Sequence, residues 1–485
     1  MGLSEESGTN RDKKTALFAV AIANLLVMMA LAPASVVLPS IAADLETGFA
    51  MASWTITSFL LTLVALLLTA GRLGDLFGHR KVFLWGTLIY TASGTLAGFS
   101  QDILQLILLR GLQGAGTALI SGNSLAILAQ VFAPEERGKA VGVAGMSASL
   151  GALIGILVGS LLAQYLSWRW LFFLVLPLGA LSIKSAIDLR VSFQPIEKPR
   201  IDVKGGVLLA LALVVFTLAL TTHLHAGEPT FTQGWPFHAS MLGAAVLLGL
   251  GFLLVEVRIP QPMMELHHLR HSLFSTSVGA NGIMHMTMMA STFLVPFLVE
   301  RGLGLTPIYT AGMMITTQVA NIGAAPFSGW LFDKTGWRFM PAAAMACLSG
   351  CLILLGALAG SLPYWGFLVI GLLLGLGLGF FMTPNNTVIM GALPATHRGF
   401  AAGMLETSRQ LGHSLGVSAS SAVLALVLVT TLPVMGERAA YVLGFQQATL
   451  AAGAVAFLGM LLAVASSRAS PARETELVAE PLASP

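Results

Sequence analysis

Three titratable side chains lie close together in one apolar segment in the C-terminal part of the chain. Glu406, Arg409 and His413 are spaced at i, i+3 and i+7, so a helix would place them on one face. An apolar setting favours the protonated form of a carboxylate, whereas a neighbouring arginine favours its charged form. These opposing influences suit a group that exchanges protons near neutral pH. The other interpretation is a static Glu406–Arg409 ion pair that fixes helix packing.

Two more polar groups, Arg110 and His285, lie inside other apolar segments and complete the proton-coupling candidates; Arg110 would tune Glu406 or act on the substrate. Arg110 begins the run Arg-Gly-Leu-Gln-Gly-Ala-Gly. An arginine in hydrocarbon costs roughly 2.5–3.5 kcal/mol, so Arg110 needs a partner or water. His285 could take up a proton, or it could be an ordinary hydrogen-bonded histidine of the interior, and the same alternatives hold for His413.

Long apolar segments supply the frame for these groups. The chain has 485 residues, of which 56% are hydrophobic and only 10% charged, and its mean hydropathy is +0.83. Soluble domains carry about 25% charged residues. Segments of about 20 apolar residues, each able to cross roughly 30 Å of hydrocarbon, recur along nearly the whole sequence. The sequence therefore predicts an all-α integral membrane protein with fourteen spans, near residues 15–39, 50–71, 82–100, 104–130, 138–163, 170–188, 204–222, 238–257, 273–299, 308–330, 339–360, 365–391, 400–430 and 443–466.

The distribution of basic residues orients these spans. Of the 25 Lys and Arg, Arg169, Arg301 and Arg438 fall outside, Arg110 and Arg409 fall within spans, and the other twenty fall on the inner side. This bias follows the positive-inside rule if both termini lie in the cytoplasm. The expected location is the inner or plasma membrane. The basic residues are spread over loops, so the net charge of +3 does not indicate a nucleic-acid partner.

A loop rich in glycine and charge occurs twice, which indicates an internal duplication. The first copy, Gly71 to Lys81, contains Gly71, Asp75, Gly78 and Arg80, and a weaker copy near 328–338 has Asp333 in the place of Asp75. The glycines permit a tight turn, and Asp75 could pair with an arginine or a helix N-terminus in a contact that opens and closes a gate.

Each copy of the loop follows the second span of a six-span block, as expected for parallel repeats. The predicted organisation is a cytoplasmic N-terminus at 1–14, an N-terminal six-helix bundle at 15–188, a linker with two extra helices and a cytoplasmic loop at 189–272, a C-terminal six-helix bundle at 273–466, and a disordered cytoplasmic tail at 467–485.

Three glycines of the fifth span, Gly151, Gly155 and Gly159, recur every four residues and give one smooth face for close helix packing. Ordinary small-residue packing is the alternative to a transport role. The sixth span begins with Trp168-Arg169-Trp170, whose aromatic rings are typical of a membrane boundary.

Several of these motifs resemble those of one family. The loop at 71–81 resembles the signature loop between helices 2 and 3 of the major facilitator superfamily, and 110–116 resembles its second motif. The glycines at 151–159 resemble the antiporter motif, although Ile156 and Ser160 depart from it. The runs at 168–179 and 407–412 resemble the fourteen-helix drug:proton antiporter branch. The resemblance implies a major facilitator fold of two pseudo-symmetric six-helix bundles plus two extra central helices, and export of lipophilic compounds driven by proton entry.

Two positions depart from that branch. Where the branch usually has an acidic residue in the first span this chain has Ala30, and where it has Asn in the sixth span this chain has Val175. The familiar proton carrier and partner of Arg110 is thus absent, which makes Glu406 the favoured carrier. An exporter of an endogenous lipid or secondary metabolite with weak or no proton coupling is the first alternative, and a transport-inactive membrane sensor or scaffold is the second.

Lipophilic small molecules and the lipid bilayer are the expected partners of a monomeric protein. The proton gradient would be the energy source and no cofactor is expected, since no nucleotide-binding motif is present. No nucleophile–base pair or metal-ligand set stands out, so neither an enzyme nor a metal site is expected. Polar and thioether side chains that could line a substrate cavity are Asn24, Met28, Gln113, Asn123, Asn281, Met288, Gln318 and Asn321.

Overall fold

The computed structural model describes residues 10–189, 203–221, 235–259, 266–394 and 398–469. Most of the predicted N-terminus at 1–14, most of the linker that begins the 189–272 region, part of its cytoplasmic loop, and nearly all of the predicted tail at 467–485 lie outside the described residues.

Helices make up nearly all of the described chain, and these residues include no β-strand. The sixteen α-helices are α1 (Asn10–Leu31), α2 (Leu38–Asp44), α3 (Phe49–Phe77), α4 (His79–Ala97), α5 (Ile103–Val131), α6 (Pro134–Tyr165), α7 (Arg169–Phe173), α8 (Val175–Asp188), α9 (Val203–Thr221), α10 (Trp235–Arg258), α11 (Ser272–Pro296), α12 (Pro307–Thr335), α13 (Met340–Leu358), α14 (Tyr364–Gly391), α15 (Arg398–Met435) and α16 (Glu437–Arg468). A π-helical turn, Phe297–Gly302, continues α11.

All fourteen predicted spans coincide with helix in this structure. Ten helices of the described chain are long and apolar enough to cross a membrane, and the bent α3 brings the number to eleven if it forms one span. The all-α membrane architecture is therefore confirmed. The count of fourteen crossings stays a prediction, because α4, α9 and α12 are not among those ten or eleven helices.

Two compact units divide the chain. Unit 1 comprises Met1–Met263, Val295–Ile315 and Ala425–Tyr441, and unit 2 comprises Met264–Leu294, Thr316–Leu424 and Val442–Pro485. The predicted bundle boundaries at 188 and 273 stay predictions.

In unit 1 the three glycines of α6 pack against α1. A Cβ at Gly151 would lie 2.8 Å from the Cα of Leu25, and one at Gly155 would lie 2.8 Å from the Cα of Met29. One turn further along, Gly159 meets Pro33. Side chains at these positions would push the two backbones apart, so the glycine spacing of four residues sets the approach of α6 to α1.

Unit 2 contains a matching seam between α15 and α11. A Cβ at Gly412 would lie 3.0 Å from the backbone nitrogen of Met286, and one at Gly416 would lie 3.1 Å from that of Ala290. In the predicted duplication, α11 and α15 correspond to α1 and α6. Close packing at small residues therefore occurs in both units, at places that correspond in the predicted duplication.

The Trp-Arg-Trp motif makes a group of polar contacts in unit 1, just before α8 begins. Arg80 contacts the other end of α8. The indole Nε1 of Trp168 donates a hydrogen bond to Asp44 Oδ2 at 3.0 Å, and Arg169 forms an ion pair with the same carboxylate. Arg169 also donates to the backbone oxygen of Ser100 at 3.1 Å. This one carboxylate thus ties α2 to the start of α7.

Candidate functional site

Arg110 occupies the interior of unit 1 and is only 1% exposed. Its Nε donates to the backbone oxygen of Thr55 at 3.1 Å, and its Nη1 donates to Gln113 Oε1 at 2.7 Å. The guanidinium carbon lies 4.5 Å from the ring centre of Phe59 and 5.9 Å from that of Phe172. These neutral acceptors and aromatic faces are the partners that a buried guanidinium uses in the absence of a carboxylate.

No acidic side chain of the described chain lies within 4.0 Å of Arg110. Among the described residues, its Nη2 has no hydrogen-bond partner, and neither has the Nε2 of Gln113. Ala30 and Val175, at the two positions that depart from the antiporter branch, are both buried. The interior around Arg110 therefore holds one positive charge with no titratable carboxylate beside it.

Tyr90 is a buried polar neighbour of Arg110 that sequence reasoning missed. The side chain is fully buried, it is close enough to Arg110 to interact electrostatically, and its hydroxyl donates to the backbone oxygen of Leu26 at 3.3 Å. In the sequence, Tyr90 is a lone tyrosine in the middle of an apolar segment. That position could have drawn attention to it, but nothing in the sequence indicates that it lies near Arg110.

The predicted gating loop is held by contacts within unit 1. Gly78 has φ of +93°, a backbone conformation that favours glycine, and it separates α3 from α4. Asp75 lies 3.4 Å from His79 Nε2 and 3.9 Å from Arg72 Nη1. The hydrogen bond that His79 donates to the Asp75 carboxylate raises the pKa of His79, which lies at the start of α4. Arg80 donates to the backbone oxygens of Ala186 and Ile187 at the end of α8.

Asn123 contacts this loop. Its side chain is buried, its Oδ1 lies 2.8 Å from His79 Nδ1, and its Nδ2 donates to the backbone oxygens of Ala70 and Leu119. Asp333, the counterpart of Asp75 in unit 2, is exposed. Its neighbour Lys334 lies over the ring of Trp330 at 4.9 Å.

Four of the five predicted proton-coupling residues lie in unit 2. Glu406 forms an ion pair with Arg409 and accepts a hydrogen bond from Gln410 Nε2 at 2.8 Å. The side chains of Glu406 and Arg409 are 25% and 37% exposed. Glu406 and Arg409 are thus paired, as both interpretations of the sequence allow, and the carboxylate oxygens are engaged by two donors.

The two candidate histidines meet each other between α11 and α15. His285 Nδ1 lies 3.1 Å from His413 Nε2, and the two rings are nearly perpendicular. Both are buried. The glycine seam permits this contact, because a Cβ at Gly412 would lie 3.0 Å from the Cβ of His285. The donor ring of a hydrogen-bonded imidazole pair can take up a proton on its other nitrogen. The pair then holds one extra proton and its N–H···N bond is kept.

Other cavity candidates contact the protein itself or remain partly exposed. Asn24 donates to the backbone oxygen of Ala144 at 3.3 Å, across the α1–α6 seam. Asn281 donates to Ser408 Oγ at 2.8 Å, while its Oδ1 and that of Asn321 have no hydrogen-bond partner in the part of the chain that the structure describes. The side chains that remain half-buried are Met28, Met288 and Gln318. Within the described residues, no group of three or more His, Cys, Asp or Glu could hold a metal ion.

Long apolar helices packed along glycine seams define the class as a multi-pass membrane protein, and comparison identifies the family. The sequence pattern of the Major Facilitator Superfamily matches residues 20–417, so the chain belongs to that superfamily. Its relatives include exporters of antibiotics, which agrees with the resemblance seen in the motifs.

Two curated relatives illustrate the range of substrates in the family. The chain is 26% identical to the riboflavin transporter RibZ of Clostridioides difficile over 88% of this chain and 91% of that protein. It is 27% identical to the tetracenomycin C resistance and export protein of Streptomyces glaucescens over 83% of this chain and 74% of that protein.

Solved structures agree on the fold. A bacterial homologue of the human lysosomal transporter Spinster, in an inward-facing and unoccupied conformation, superposes with a TM-score of 0.67 at 13% identity, covering 95% of this chain and 98% of that one. A peptide transporter of the POT family superposes with a TM-score of 0.66 at 17% identity, covering 94% and 97%.

Proposed function

We propose that the protein exports lipophilic or amphipathic compounds across the cytoplasmic membrane by alternating access, in exchange for protons. Both termini would lie in the cytoplasm, as the distribution of basic residues predicts. One proton moving down about 100 mV releases roughly 2.3 kcal/mol, enough for about a fifty-fold gradient of a neutral substrate.

The observation that carries proton exchange is the cluster in unit 2 formed by Glu406, Arg409, His285 and His413. Titratable groups within membrane helices are costly and are typical of proton pathways. Glu406 can release Arg409 on protonation, and the neighbouring His285–His413 pair can accept one proton without losing its hydrogen bond. Arg110, with no acid beside it, would act on the substrate or on the packing of unit 1.

The substrate class is supported by the names of the relatives. They include the tetracenomycin C exporter, and the Stp protein of Mycobacterium tuberculosis, whose name describes it as a multidrug resistance protein and which is 27% identical over 89% of this chain and 79% of that protein. The half-buried Met28 and Met288 would add adaptable apolar surface to a cavity for varied substrates.

A second function is favoured by the surroundings of Arg110. Without an acid beside Arg110, and with Glu406 already paired, the chain could export a metabolite with weak or no proton coupling. The similarity to a riboflavin transporter supports this alternative.

Transport in proteoliposomes separates the two functions. Purified protein would be reconstituted and given an imposed pH gradient, and accumulation of Hoechst 33342 and of riboflavin would be followed by fluorescence. We expect the gradient to drive dye accumulation and Glu406→Gln to reduce it at least about ten-fold, equivalent to about 1.4 kcal/mol. His285→Gln and His413→Gln would each shift its pH dependence.

Glu437→Gln is the matched control, because this exposed carboxylate also pairs with an arginine, Arg301, at 3.0 Å. It should transport as the wild type does. Transport of riboflavin that ignores the pH gradient would instead favour the uncoupled metabolite exporter. Gradient-driven dye transport that survives Glu406→Gln would reject Glu406 as the carrier.

A further inference from the structure

An open cavity of about 650 Å³ lies in unit 1, where α1 and α4 begin and α8 ends. Its charged side chains are basic Arg11, Lys14, Arg80 and Lys184 and acidic Asp12 and Asp188. Basic groups therefore exceed acidic groups by two in this cavity, which suits a ligand of negative charge.

The basic side chains of the cavity differ in how far they are already engaged. Arg80 is fixed by its hydrogen bonds to the backbone oxygens of Ala186 and Ile187. Arg11, Lys14 and Lys184 are exposed and form no ion pair within 4.0 Å among the described side chains. Three cations are thus available to an incoming anion, beside one that is held in place.

Exposed apolar side chains line the same cavity. Phe18 and Ile187 are each 52% exposed and Leu181 is 40% exposed. A free inorganic anion gains nothing from these groups, whereas a molecule with an anionic head and an apolar body can contact them together with the cations. The cavity also lies at the ends of two helices able to cross the membrane, Arg11–Ala34 and Arg169–Asp188.

We propose that this cavity binds the headgroup phosphate of an anionic phospholipid from the leaflet next to the cytoplasm. Arg11, Lys14 and Lys184 would contact the phosphate, and Phe18 and Ile187 would lie beside the first methylenes of the acyl chains. Basic pockets between membrane helices on the cytoplasmic side are a known type of lipid headgroup site. Each basic residue near an anionic membrane surface raises the affinity for that surface about five-fold. Removing three of them should therefore lower the lipid affinity about ten-fold or more, even though two acidic residues also line the cavity.

Native mass spectrometry of the purified full-length protein can test this site. The protein would be released from detergent micelles after incubation with phosphatidylglycerol, phosphatidylcholine or inorganic phosphate. We expect the wild type to retain phosphatidylglycerol in preference to phosphatidylcholine. In the triple variant R11Q/K14Q/K184Q, whose changes are all at exposed positions, phosphatidylglycerol affinity should fall about ten-fold or more.

The matched control is K204Q/R258Q/R270Q, which removes three exposed charges that also lie on the predicted cytoplasmic side but not in the cavity. It should keep the lipid preference, and both variants should keep the wild-type helical content by circular dichroism. Equal losses of phosphatidylglycerol affinity in the two variants would mean that the lipid is attracted to the positive charge of the protein as a whole. That result would overturn the proposal. Displacement of the lipid by inorganic phosphate, with no preference between lipids, would assign the cavity to a free phosphate ion instead.

Discussion

Two arginines inside membrane helices of this protein have opposite surroundings. Arg110 on α5 is 1% exposed and contacts a backbone carbonyl, Gln113 and two phenylalanine rings. Arg409 on α15 has a side chain that is 37% exposed and forms an ion pair with Glu406 one turn earlier on the same helix. The more deeply buried cation is therefore the one without a counter-ion.

The contrast separates two ways in which a membrane protein can keep a costly charge. A cation paired with an acid can be a structural contact, since each charge compensates the other. A cation with only neutral partners retains much of its desolvation cost, so packing alone does not account for its presence. By this argument we expect Arg110 to contribute to function more than to stability, and Arg409 to contribute to both. The following changes test that distinction.

Replacing Arg110 should have the largest effect on transport and little effect on stability. Arg110→Leu removes a buried charge together with its desolvation cost, which offsets the loss of its hydrogen bonds and of its ring contacts. We expect dye transport in proteoliposomes to fall at least about a hundred-fold, equivalent to about 2.7 kcal/mol, while the midpoint of thermal unfolding stays the same or rises. Arg110→Lys should also fail, because an ammonium cannot reproduce the planar contacts with Thr55 and Gln113. A large drop in thermal stability with transport retained would reverse the assignment.

Replacing Arg409 should affect stability first. Arg409→Leu leaves Glu406 with only Gln410 as a donor. Removing one partner of a fully buried pair costs about 3–5 kcal/mol, and the partial exposure of this pair reduces the expected loss to about 2 kcal/mol. The double variant Glu406→Gln/Arg409→Leu should recover most of that loss, because it no longer contains an unpaired carboxylate. Thermal unfolding of the single and double variants in detergent measures the coupling, and no recovery would show that the ion pair is not the contact that matters.

The sequence predicted the helices and the packing faces well, because both depend on local patterns. All fourteen apolar segments coincide with helix, and the spacing of Gly151, Gly155 and Gly159 indicated a packing face before its partner α1 was known. The ion pair between Glu406 and Arg409 could also be predicted, since i and i+3 positions are neighbours on any helix.

Contacts between distant segments could not be predicted from one sequence. His285 and His413 are 128 positions apart, and the hydrogen bond between them depends on how closely Gly412 lets α15 approach α11. Phe59 and Phe172 approach Arg110 from two other helices, so these contacts also depend on how distant segments pack. Asn123, expected to line a cavity, contacts His79 and two backbone oxygens because α5 packs against the loop that joins α3 and α4. Its cavity role stays a prediction.

The aromatic surroundings of Arg110 can be tested with a smaller change. Phe59→Leu keeps an apolar side chain but removes the ring face 4.5 Å from the guanidinium. We expect it to cost about 1–2 kcal/mol more than Phe83→Leu, because a desolvated cation–π contact contributes up to about 2 kcal/mol. Phe83 is the matched control, since it is equally buried in unit 1 and no described cation lies over its ring. Equal losses of thermal stability in the two variants would mean that Phe59 acts through packing alone.

A third arginine, Arg169 at the first position of α7, gives the smallest effect and sets the lower end of the comparison. Arg169 pairs with Asp44, and the side chains are 29% and 46% exposed. The hydrogen bond from Arg169 lowers the pKa of Asp44 below its usual value of 3.8, with a further contribution from Trp168. The stabilisation is therefore present above about pH 4 and is lost as the pH falls through the lowered pKa. Asp44→Asn should cost less than about 1 kcal/mol at neutral pH, because exposed pairs are screened by solvent. The difference in unfolding midpoint between wild type and variant should shrink when the pH is brought below that lowered pKa. A difference that persists in acid would mean that the hydrogen bond from Trp168, rather than the charge of Arg169, is what Asp44 contributes.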